Sequence, residues 1–128
     1  MQYCVLIYDS EKIVQSRPKH EDDALLAKHA ALQRELAAEG KLGPAIRLVP
    51  TSAARTYRPG RDAFTDGPFA ETKEQLLGLY VIECETDQEA QDIARRIANC
   101  CVTREYGALE VRPISWLPTL GFAAPKAS

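Results

Sequence analysis

Gly67-Pro68 divides this chain in a way that few arrangements tolerate. Proline has no N–H to give a sheet ladder and pushes the preceding residue into extended or turn geometry, so neither a strand nor a helix interior runs through these positions. Apolar segments stand on both sides, and the chain must therefore reverse within Asp66-Gly67-Pro68-Phe69-Ala70-Glu71-Thr72-Lys73-Glu74. Phe69 is the expected apolar anchor of this loop. A loop rich in ionisable groups and fastened by an aromatic is a place for a site. The plainer reading is a solvated connector, with Thr72 capping a short helical turn and Gln75 completing a capping box.

The segments around the loop fall into strands and helices. Tyr3 to Tyr8 is an uninterrupted apolar run, short enough for a strand buried on both faces in the middle of a sheet. Glu11 to Lys19 reads as a connector that could also cover a pocket. From Glu21 to Glu39 the pattern is helical: acidic residues fill the first turn, Gly40 stands at the C-cap side, and Leu25, His29, Leu32 and Leu36 share a face. Gly43-Pro44 is expected to turn the chain into a strand from Ala45 to Val49. A hairpin follows, with arms Ala53 to Tyr57 and Asp62 to Thr65 around Pro59-Gly60. Its arginines Arg55, Arg58 and Arg61 read either as edge protection or as an anion site.

Beyond the loop, Leu76 to Cys84 is a strong strand in which Gly78 and Tyr80 share a face, and glycine there admits close approach of a ligand or another backbone. Thr86-Asp87-Gln88-Glu89 is a capping box opening a second helix, with Ala90, Ile93, Ala94, Ile97, Ala98 and Cys101 as its apolar stripe. Ala108 to Ile114 is the last strand, and the segment from Trp116 is expected to dock through Trp116 and Phe122 or to drift free. Two helices, each separating strands, predict an α+β sandwich with both helices on one face of the sheet.

A chain of 128 residues with 45% hydrophobic and 27% charged side chains suits one globular domain. Its formal net charge of -2 argues against a nucleic-acid partner. The first segment reaches a charge at Asp9 and lacks a basic leader, so neither a signal peptide nor a membrane span is expected, and the expected compartment is the cytoplasm. Cys4, Cys84, Cys100 and Cys101 match no metal or C-x-x-C redox spacing and are read as free thiols. No cofactor motif and no metal site is expected.

Five residues carry what chemistry there is: His29 on the first helix, Asp66 and Glu71 in the loop, Tyr80 on its strand and Asp9 at the end of the first. A carboxylate that fixes one nitrogen of an imidazole leaves the other free to move protons near neutral pH. On this reading His29 and Asp66 are catalytic, while Glu71, Tyr80 and Asp9 bind a small-molecule ligand. The alternative for His29 is a core-edge histidine satisfied by one carbonyl. The loop and His29 are expected to form one site.

The run from Asp66 to Glu74, followed by the strand Leu76 to Cys84 and by Val111-Arg112-Pro113-Ile114, resembles the signature of the DGPF-domain proteins, a branch of the YCII-related family. The resemblance covers residues 1–116, leaving 117–128 as a tail. It implies a ferredoxin-like α+β sandwich that pairs as a dimeric α/β barrel, hence a homodimer. It also implies a histidine on the first helix, at the place of His29, acting with an Asp in a proposed dyad. Two functions follow from it: acid–base chemistry on a small molecule, or a ligand-binding or regulatory accessory role linked to sigma factors of the extracytoplasmic function group.

Overall fold

The computed structural model describes residues 1–118. Its elements are β1 (Gln2–Asp9), α1 (Glu11–Gln15), α2 (Lys19–Ala38), β2 (Leu42–Arg47), a 3-10 turn (Thr51–Ala53), β3 (Arg55–Arg58), β4 (Ala63–Asp66), β5 (Gln75–Glu83), α3 (Asp87–Cys101) and β6 (Ala108–Pro113). Four strands form one antiparallel sheet in the order β2-β5-β1-β6, while β3 and β4 pair only with each other. With that hairpin set aside, the order of strands and helices is that of a ferredoxin-like α+β fold. Among the described residues no helix is long and apolar enough to cross a membrane.

Local chemistry sets the helix ends. The Thr86 side chain accepts from the Glu89 backbone N–H at 3.1 Å, which caps α3 as its sequence predicts. Past α2, Gly40 takes a φ of +72°, the left-handed conformation that glycine reaches without strain. The buried stripe of α3 is Ala90, Ile93, Ala94, Ile97 and Cys100. It packs with Leu32 and Leu36 of α2 against Tyr3, Val5 and Ile7 of β1 and against Tyr80 and Ile82 of β5. All four cysteines are free thiols.

Three expectations are corrected. β1 is central, but it alternates buried and half-buried residues instead of being enclosed on both sides, because both long helices lie on one face of the sheet. Gly43-Pro44 does not turn the chain: it sits inside β2, an edge strand, where the register with β5 shifts between Leu42 and Ala45. An edge at an irregularity tolerates a residue without an N–H. Glu11 to Gln15 is a helix, pinned where the Glu11 N–H donates to Gln75 Oε1 at 2.9 Å and the Glu11 carboxylate accepts from the backbone and hydroxyl of Thr51.

The signature loop also differs. The Phe69 ring is 77% exposed and is not the apolar anchor expected among the described residues, although the Phe69 carbonyl accepts from Arg58 at 3.1 Å. Thr72 bonds to the Glu74 carbonyl and Gln75 Nε2 donates to the Thr72 carbonyl at 2.6 Å, so the capping box does not form and no helical turn follows. Trp116 is exposed as well, and Phe122 lies outside the described residues.

Candidate functional site

The front half of α2 stands away from the sheet. Its buried leucines, Leu32 and Leu36, lie in the rear half, while Leu25 is half-buried and Leu26 exposed. A cavity of about 210 Å³ opens beneath that front half, closed by α1, by the ends of β1 and α3, and by β2 and β5. Most of its surface is apolar. At the register shift between β1 and β5, Tyr8 pairs with Leu76 and Ile7 with Gly78, which leaves Leu77 over as an added residue whose side chain joins the wall.

Gly78 permits the close seating of β2. A Cβ there would stand 2.2 Å from the Ile46 carbonyl oxygen, so the gap that the sequence leaves open to ligand or backbone is filled by backbone. β2 thereby lines the cavity with Ala45, Ile46 and Arg47.

Six polar side chains line this apolar space: Arg17, Asp22, His29, Gln33, Arg47 and Tyr80. His29 Nδ1 lies 2.6 Å from the Tyr80 hydroxyl, to which Gln33 Nε2 donates at 3.2 Å. Burial, with Arg47 adding to it, pushes the His29 pKa below its ordinary 6.5 and keeps the ring neutral at physiological pH. Burial likewise raises the Tyr80 phenol, which stays protonated. Arg47 grips both oxygens of Asp22, at 2.9 and 3.3 Å, and this bond holds the Asp22 carboxyl below its usual range. Arg17 donates to the Cys101 carbonyl at 3.1 Å, at the last turn of α3. Burial pushes the Cys101 thiol up to about 12, and a thiol so held is not a nucleophile.

Of the five residues singled out from the sequence, the fold brings His29 and Tyr80 together. Asp9 is fully buried elsewhere, accepting from the backbone N–H of Ser10 at 2.8 Å, and from the backbone and hydroxyl of Thr103 at 2.7 and 2.9 Å. Asp66 has a side chain 90% exposed and pairs with Arg55 of its own hairpin at 3.2 Å. Glu71 is exposed. Neither loop carboxylate lines the cavity, because β3 and β4 form a ribbon separate from the main sheet and carry the loop with it. Within one chain the partner of His29 is thus a phenol and not a carboxylate.

Sequence reasoning overlooked Arg17, Asp22, Gln33 and Arg47. Gln33 follows His29 by one helical turn and Asp22 precedes it by two, a spacing that places all three on one face. Arg47 had no such signal, since its place depends on which strand pairs with β5.

A family model described as the YCII-related domain matches residues 1–116. A relative from Rhizobium meliloti (strain 1021), described as an uncharacterized protein, is 46% identical over 117 residues, covering 90% of this chain and 93% of its own length. With a match over nearly its full length and a fold of the ferredoxin-like kind, the chain belongs to the YCII-related family.

Proposed function

We propose that the cavity under α2 binds a small molecule and that His29 moves a proton on it, with Tyr80 holding the ring. The observation that carries this reading is the hydrogen bond of 2.6 Å between His29 Nδ1 and the Tyr80 hydroxyl at the wall of an apolar cavity. It occupies one ring nitrogen and leaves Nε2 for a ligand. A neutral ring bonded to a phenol can relay a proton, one nitrogen taking a proton up as the other gives one up. The test is a thermal-shift screen of small acids and phenols on wild type and His29→Ala. Hits are expected on wild type alone. Hits that bind His29→Ala equally well at all pH values would remove the proton-transfer role.

That outcome favours the second reading, a binding or accessory module. Its support is that a phenol, lacking charge, makes the imidazole a weaker base than a carboxylate partner does. Membership of the DGPF branch rests on the run from Asp66 to Glu74, and the link to sigma factors rests on the resemblance.

We further propose that the protein is a homodimer, in which two sheets meet as an α/β barrel. Leu6, Tyr8 and Leu79 are half-buried on the sheet face opposite the helices, and no helix among the described residues covers that face. Phe64 and Phe69 are exposed beside the signature loop. A second copy would bury these groups and bring the loop's Asp66 and Glu71 against a neighbour. Sedimentation at micromolar concentration is expected to give a dimer, and a monomer as the sole species would end this proposal.

A further inference from the structure

The charges and donors around the cavity do not balance. Asp22 is engaged through both oxygens by Arg47, and this pair neutralises itself. Arg17 has no carboxylate within ion-pairing distance among the described residues; its one protein acceptor is the carbonyl of Cys101. The lining thus carries one positive charge in excess, inside walls made mostly of Leu25, Leu26, Ile46 and Leu77. A half-enclosed apolar wall strengthens the pull of that charge on an anion.

The protons add a second constraint. Gln33 Nε2 donates to the Tyr80 oxygen, which leaves the phenol's own proton free to point at His29 Nδ1, one of the two tautomeric arrangements the short contact allows. In that arrangement the ring's proton is on Nε2, which has no protein partner among the described residues. With the ring so arranged His29 offers the cavity an N–H, and Arg17 offers further N–H groups. A ligand that satisfies both brings acceptor oxygens.

We infer that the ligand is a small acid with an apolar body, its anionic group facing Arg17 and one oxygen accepting from His29 Nε2–H. This rests on the reading of the cavity as the ligand site and narrows it to a chemical class. Gln33 is a positioning residue in this scheme, acting on His29 only through Tyr80.

Benzoate and its neutral counterpart benzamide separate the inference from the reading beneath it. Both are titrated into wild type, Arg17→Gln and Arg17→Lys carrying 15N-labelled histidine, with each variant's melting curve recorded. In wild type the His29 spectrum is expected to show a protonated Nε2, and benzoate is expected to bind about tenfold or more tighter than benzamide, the order given by a charge-assisted hydrogen bond. Arg17→Gln should erase that preference, and Arg17→Lys should keep it. Benzamide binding wild type as tightly as benzoate, with the His29 resonances shifted by both, overturns the acid and leaves the cavity as a ligand site. Resonances of His29 moved by neither probe overturn both. The wild-type comparison stands even where Arg17→Gln does not fold.

Discussion

Asp9→Ala is expected to destabilise the protein by about 3–5 kcal/mol, since it removes a buried charge that accepts several hydrogen bonds and strands their donors. Three donors converge on this carboxylate, two of them from Thr103 in the turn between α3 and β6. Thr103 in turn accepts, at its hydroxyl, from the Tyr106 N–H at 3.1 Å, and at its carbonyl from the Gly107 N–H at 2.9 Å. Losing Asp9 therefore loosens the whole turn that delivers β6 to the sheet. Against a total stability on the order of 5–15 kcal/mol such a loss is severe, and a fall in melting temperature of roughly 10 °C or more should accompany it. Asp9→Asn keeps one acceptor oxygen and should cost less. Should Asp9→Ala melt like wild type while losing a ligand, the binding role read from the sequence would replace the structural one.

The second large effect is expected at Gly78. In Gly78→Ala the new Cβ meets the Ile46 carbonyl oxygen at 2.2 Å, and Arg47 Cα stands 3.3 Å away. Backbone cannot yield as the end of a side chain does, so β2 must move off β5. Overpacking of this kind costs about 1–3 kcal/mol. Displacing β2 also withdraws Ala45, Ile46 and Arg47 from the cavity, so ligand binding should fail together with stability. Gly40→Ala is the control: nothing lies within 4 Å of its added Cβ, and its penalty is confined to the positive φ of 72°. Equal melting temperatures for Gly78→Ala and wild type would mean that β2 is not seated as described.

What could be read from the sequence was what a few neighbouring residues decide. The Thr86 cap, the Gly40 terminus and the stripe of α3 each depend on contacts within about one helical turn. His29 was found because its helical face is local too. Its bond to Tyr80 was not, since that contact spans 51 positions and requires the register of β5 under α2. Asp9 shows the same limit more sharply. A carboxylate at a strand end reads as a ligand group until Thr103, 94 positions away, is placed against it. Phe69 was misplaced for a different reason: an aromatic in a loop says that something will cover it, but not whether the cover comes from its own chain.

The uneven seating of α2 gives the cavity a fulcrum. The helix is 20 residues long and is held by Leu32 and Leu36, with His29 one turn ahead of that hold. Asp22 lies seven residues further forward, about 10 Å along the axis at ~1.5 Å per residue. A small tilt about the rear half thus moves Asp22 and Leu25 much further than it moves the imidazole. The lever's forward end is tied by the exposed Asp22–Arg47 pair, and exposed pairs of this kind contribute about 1 kcal/mol or less, while just before the helix Arg17 donates to the Cys101 carbonyl. The mouth of the cavity is therefore cheap to widen or narrow around ligands of different bulk, while the imidazole stays in register with Tyr80.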